Sequence, residues 1–169
     1  MKPESAVATT FVIAEIGVNH NGDLALARSL IDAAAAAGAD AVKFQSFTAD
    51  QLVTARTPKA KYQARNTGGA NTQLDMLRAL ELSERDQAAL YDACARACVE
   101  FMSTPFDENA VRFLVRDLRV KRLKVASGEI TNAPLLLEIT RAGTPIILST
   151  GMTSLDEVET ALGIIAFGS

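Results

Sequence analysis

The sequence predicts an α/β fold of parallel strands and helices, read as the first five βα units of a (β/α)8 TIM barrel, with an open, doubly wound parallel sheet as the alternative. Three observations carry this expectation. Short runs rich in β-branched residues alternate with helically spaced apolar segments. The returns between them are short, as parallel pairing through helical crossovers requires. Glu15, Lys43, Ser103, Lys124, Glu129 and Ser149 fall at or just past the C-terminal ends of different strands, where barrels of this class gather their chemistry. Length weighs the other way: a complete barrel takes about 250 residues, whereas this chain of 169 supplies five strands and stops in a helix.

The elements follow in order. Phe11 to Ile16 is a β-branched run closed by Gly17 and the turn formers Asn19 to Gly22, so it reads as a buried strand entering a loop. Asp23 can cap a helix whose apolar residues Leu26, Leu30, Ile31 and Ala34 share one face, and Gly38 ends it. Ala39 to Gln45 is the second strand. Ser46 to Leu74 is polar, with Thr57-Pro58 and Gly68-Gly69, and exceeds an ordinary connection, the mark of a functional lid or a disordered stretch. Leu82-Ser83-Glu84 opens a capped helix through Ala97 with Leu90 and Cys94 inward. Val99 to Ser103 is strand three, followed by Thr104 to Asp107 and a helix carrying Val111, Leu114 and Val115. Arg122 to Ala126 is strand four, Ser127 to Glu129 its loop, and Pro134 to Ala142 its helix. Thr144 to Leu148 is strand five, running into Ser149 to Met152 and a helix over Asp156 to Phe167. No domain boundary or low-complexity segment interrupts this series.

Composition narrows the function classes. A chain 49% hydrophobic and 22% charged, with net charge −3, has enough apolar residues for one packed core. Seventeen basic residues against twenty acidic ones, with no Lys/Arg block, leave no electrostatic footprint for nucleic acid. The apolar runs Ala33 to Ala37 and Pro145 to Leu148 fall far short of a membrane span, and Met1 to Thr10 has no apolar core. These features point to a cytoplasmic protein. Cys94 and Cys98 are read as reduced thiols on one helix face, since a structural zinc needs about four ligands and only His20 could add one.

Lys43 and Lys124 are the sharpest candidates, because each stands inside an apolar strand, where an unpaired ammonium is costly. Either an anionic ligand meets them, or core carboxylates such as Glu15 and Glu129 do. In a barrel both arrangements would face the mouth. The Ser127-Gly-Glu and Ser149-Thr-Gly turns offer hydroxyls and successive backbone N–H groups suited to a phosphate or carboxylate, though such turns are also ordinary loop chemistry. Glu15 and Glu129 are candidates for proton transfer or for binding sugar hydroxyls. His20 reads as a turn former. Arg56, Lys59, Lys61 and Arg65 read as a solvated face that a lid closing on an anion would also use. No GxxxxGK[ST], GxGxxG or Ser-His-Asp order is present, which disfavours nucleotide-dependent chemistry.

Five ordered segments are more specific: AEIGVNHNG (Ala14 to Gly22), DAVKFQ (Asp40 to Gln45), FMSTPFD (Phe101 to Asp107), KVASGEITN (Lys124 to Asn132) and LSTGM (Leu148 to Met152). In this order they resemble the strand-end motifs of the sialic acid synthase family. The segment from Lys59-Ala-Lys-Tyr-Gln63 to Leu80-Glu-Leu-Ser83 resembles its N-acetylneuraminate and legionaminate branch more than its pseudaminate branch. The resemblance implies a TIM barrel followed by a small antifreeze-like domain, and condensation of phosphoenolpyruvate with an N-acetylmannosamine-type sugar. By resemblance Lys43, Thr104, Lys124, Ser127 and Ser149 match positions that hold phosphoenolpyruvate, while Glu15, Gln45 and Glu129 match sugar-side or reaction-centre positions. In the family, C3 of phosphoenolpyruvate attacks the open-chain aldehyde C1, water adds at C2, and phosphate leaves by C–O cleavage. A divalent metal, Mn2+ or Mg2+, polarises the aldehyde through two later histidines that match nothing here. The expectation is therefore the N-terminal portion of a synthase domain over 1–169, inactive alone and homodimeric when complete. A finished anion-binding module, or a half-barrel that assembles with another chain, is the alternative.

Overall fold

The computed structural model describes residues 10–54 and 72–169. Strands β1 (Ile13–Gly17), β2 (Ala41–Ser46) and β3 (Glu100–Pro105) form one parallel ladder in that order. Strands β4 (Leu123–Val125) and β5 (Ile146–Leu148) form a second parallel pair, with β4 lying beside β3. A doubly wound sheet reverses its strand order at a switch point. Within both ladders here the order simply follows the chain.

The crossovers are helical. Helix α1 (Leu24–Ala36) links β1 to β2, and α2 (Ala49–Leu52), α3 (Gln73–Leu80) and α4 (Glu84–Arg96) lie between β2 and β3. Helix α5 (Glu108–Arg112), α6 (Ala133–Arg141) and α7 (Leu155–Gly168) follow β3, β4 and β5. Helices α1 and α4 start at the capping residues the sequence offers. Asp23 accepts from the N–H groups of Ala25 at 2.7 Å and Leu26 at 3.2 Å, and Ser83 from Asp86 N–H at 3.1 Å. Gly38 takes φ +82°, the left-handed geometry that lets the chain leave α1 and turn directly into β2.

Strand alternation divides the side chains between two environments. Val42 and Phe44 of β2 face the helices, where Phe44 stacks on Phe101 with ring centroids 5.4 Å apart and packs in one core with Ile31, Leu90, Leu114 and Leu136. Burying a ring of that size stabilises the fold by about 2–3 kcal/mol. Lys43 and Gln45 point the other way. At the N-terminal ends of the strands, Arg122 pairs with Glu100 at 2.7 Å and lies 4.5 Å over the Phe11 ring.

Four expectations are corrected. Ser46 to Leu74 is not wholly irregular: Ser46 closes β2, α2 follows, and α3 starts at Gln73 under a Thr72–Asp75 capping box. Helix α2 is a single turn, and α3 shows only Leu74, Leu77 and Leu80 as an apolar stripe, too short for its period to stand out. Residues 55–71, which carry Arg56, Thr57-Pro58, Lys59, Lys61, Arg65, Gly68-Gly69 and the Lys59 to Gln63 motif, lie outside the described residues. The cysteines do not share a helix face, since α4 ends at Arg96 and Cys98, at φ +57°, is exposed while Cys94 is buried. After β3 the α-helix stops at Arg112 and the chain continues as a π-helical turn over Phe113–Asp117. Finally, Glu129 meets neither strand lysine.

Candidate active site

Charge at the C-terminal end of β1 comes from Glu15, the register partner of Lys43, and lies beside an irregularity in the backbone. The β1–β2 register slips between Glu15 and Gly17, and Gly17 takes φ +55°. A Cβ at Gly17 would stand 2.9 Å from Glu15 Oε1. Glycine there lets the Glu15 carboxylate fold back over the strand end to pair with Lys43 Nζ. The Lys43 side chain is 12% exposed and that of Glu15 is 50% exposed, so the pair sits at a mouth open to solvent. Lys43 also donates to Thr104 Oγ1 of β3 at 3.3 Å.

Lys124 reaches the same space from β4. Its ammonium donates to the Val125 carbonyl at 2.6 Å and to Ser149 Oγ at 2.5 Å. Among the described residues no carboxylate forms an ion pair with it. Burial lowers its pKa from the ordinary lysine value, the nearby Lys43 ammonium lowers it further, and Glu15 opposes both. Two ammonium groups thus converge with one exposed carboxylate between them, an arrangement whose unmet charge is positive.

A cavity of about 380 Å³ at these strand ends is lined by Glu15, Lys43, Gln45, Thr104, Lys124, Ser127 and Ser149. Strands β1 to β5 each deliver a side chain to it directly or from the residue just beyond. Asn19, Phe106 and Ala126 also line it and were not singled out from the sequence. Their signal is position alone: all three follow strands closely, but none is charged or conspicuous in composition. Glu129 is not among the lining residues. It belongs to a 3₁₀ turn over Ser127–Glu129, which carries its carboxylate away to accept from Asn132 Nδ2 at 2.9 Å.

His20 is buried at 1% exposure, and its Nδ1 accepts from Gly22 N–H at 3.0 Å. Burial lowers its pKa, partly offset by a hydrogen bond with the Gly17 backbone. It therefore holds the turn after β1 as a neutral ring. Among the described residues no group of three or more His, Cys, Asp or Glu is placed to hold a metal ion, so these side chains do not fit a metal centre of their own. No described helix is long and apolar enough to cross a membrane.

Residues 30–168 match the NeuB family. An N,N'-diacetyllegionaminic acid synthase of Legionella pneumophila is 51% identical over 165 residues, covering 98% of this chain and 46% of that protein. The synthase of the same name from Campylobacter jejuni is 46% identical over 156 residues, covering 92% of this chain and 46% of its own length. Among solved structures, the N-acetylneuraminic acid (sialic acid) synthetase of Leptospira borgpetersenii superposes with TM-score 0.80 at 32% identity, over 95% of this chain and 51% of that one. The chain thus spans about half the length of the proteins it matches.

Proposed function

We propose, because this chain belongs to the NeuB family, that it supplies the phosphoenolpyruvate side of a synthase that condenses phosphoenolpyruvate with an N-acetylmannosamine-type sugar and releases phosphate. The observation that carries this is the convergence of Lys43 and Lys124, from separate ladders, on one cavity rimmed by Thr104, Ser127 and Ser149. Phosphoenolpyruvate brings a phosphate and a carboxylate. Two ammonium groups and three hydroxyls are a matched set of donors for such a ligand, and charge-assisted bonds in a partly buried site are strong.

The chain's own side chains then have distinct tasks. Lys124, held by Ser149 and the Val125 carbonyl, gains an anionic partner on binding. Lys43 is already aimed by Thr104 and Glu15, so substrate is met by a fixed charge. Glu15 and Gln45 stand at the open side and face the sugar, whose C1 accepts the new bond from C3 of phosphoenolpyruvate. Water adds at C2, and phosphate leaves with its bridging oxygen. Glu129 serves as a proton carrier at the reaction centre, and this task requires its bond to Asn132 to rearrange. The divalent cation expected for such a synthase would be held by residues outside this chain.

Sequential strand order with helical crossovers supports a TIM barrel as the complete domain, of which 1–169 is the N-terminal portion in a cytoplasmic homodimer. The test is phosphate release by the complete protein from phosphoenolpyruvate with Mn2+ and either N-acetylmannosamine or a diacetamido relative. Release that needs both substrates is expected. No release with any N-acylated hexosamine would overturn the proposal.

A further inference from the structure

On the helix side of β2 and β3, behind the cavity, three buried polar side chains form one chain of hydrogen bonds. Ser46 Oγ lies 2.5 Å from Gln87 Oε1 and 2.6 Å from Ser103 Oγ, and Gln87 Nε2 donates to the Leu82 carbonyl at 3.1 Å. Ser46, Gln87 and Ser103 are 1%, 4% and 0% exposed. Counting protons fixes the direction of every bond. The Gln87 amide nitrogen is committed to Leu82, so its oxygen faces Ser46 and accepts that hydroxyl's only proton; Ser103 must then donate to Ser46. A buried network satisfied in one orientation rigidifies what it connects.

None of the three lines the cavity, yet each strand member is adjacent to a residue that does. Ser46 follows Gln45, Ser103 precedes Thr104, and Gln45 and Thr104 are partners in the β2–β3 register. The Ser46 carbonyl also accepts from the N–H of Phe106, another lining residue, at 3.0 Å. Gln87 lies on the face of α4 that buries Leu90 and Cys94, where an apolar side chain would serve packing alone. We infer that Gln87, acting through Ser46 and Ser103, is a positioning residue that fixes Gln45 and Thr104 relative to Lys43. This inference rests on the proposed function.

The test uses the complete protein. Gln87→Leu should lower kcat/KM for phosphate release by about tenfold to a hundredfold, the scale on which small misplacements act, with its circular dichroism spectrum kept. That loss should shrink when Thr104→Ala is already present, because the two act through one group. Gln87→Glu is the conservative variant, and it serves if the leucine variant does not fold. A neutral carboxyl can accept from Ser46 and donate to Leu82, whereas an ionised one cannot donate, and burial favours the neutral form. Its kcat/KM should therefore approach that of the unmodified protein at low pH and fall away as pH rises. A lowered melting temperature with unchanged kcat/KM and pH profile, or losses simply additive with Thr104→Ala, would overturn the inference. If the unmodified protein releases no phosphate, the proposed function fails, and the positioning role is judged from hydrogen exchange at the Phe106 amide. Faster exchange in Gln87→Leu supports it, and unchanged protection overturns it.

Discussion

At the residue scale the two strand lysines were legible because a charge inside an apolar run is expensive and needs a partner. One partner was legible, since Glu15 is among the carboxylates the sequence offers to Lys43, and the partners of Lys124 were not. Glu15 meets Lys43 as its partner in the β1–β2 register, and the bare Gly17, at φ +55°, leaves room for the carboxylate. Lys124 finds a serine and a carbonyl instead of a carboxylate. Glu129, adjacent in sequence to the same turn, is rotated away by 3₁₀ geometry that no spacing rule reports. The lowered pKa of Lys124 has a measurable consequence. Between its depressed folded-state value and the ordinary lysine value, the unfolded chain binds more protons than the folded one, so this group makes stability rise with pH across that window. A bound anion pulls the pKa back up. Phosphoenolpyruvate binding in that pH range should be accompanied by proton uptake, seen as a dependence of the calorimetric heat on buffer ionisation enthalpy. No uptake in the unmodified protein would mean that the anion does not reach this lysine.

At the element scale, caps and strand ends were readable where one residue type serves one geometry. Asp23, Ser83 and Gly38 are such cases. Asp23→Ala should cost about 1 kcal/mol in chemical denaturation, the usual loss for an N-cap. Helix α3 was hidden by its shortness, and the π-helical turn over Phe113–Asp117 has no composition that announces it. The seat of α3 explains a glycine that looked like ordinary turn chemistry. Gly22 sits at φ +76°, and a Cβ there would stand 2.3 Å from the Ala79 carbonyl. Gly22→Ala must displace α3 or the turn in addition to bearing left-handed strain, so a loss of about 2 kcal/mol or more is expected. A denaturation midpoint within error of the unmodified protein would show that α3 does not pack against this turn.

For the whole molecule, the parallel α/β class was legible from alternation and short returns, and the strand order within each ladder agrees with it. Closure was not, since it depends on what pairs with the outer edges of β1 and β5. Strand β5 is only half-buried along its length, and Met152, Leu155, Leu162 and Phe167 around α7 are exposed. Apolar surface beside a free strand edge favours association. Produced alone, residues 1–169 should self-associate with increasing concentration in light scattering, and Leu155→Glu with Phe167→Glu should reduce the apparent mass. A monomer at all concentrations would mean that this face is stable in water.

Lys43 and Lys124 are held to form a single anion site, and calorimetric titration of phosphoenolpyruvate into the complete protein tests this most directly. The titration compares the unmodified protein with Lys43→Ala, Lys124→Ala and Arg78→Ala, whose guanidinium pairs with Asp50 on the surface. Binding should be lost in both lysine variants and retained in the arginine variant. Undiminished binding in either lysine variant would contradict a shared site.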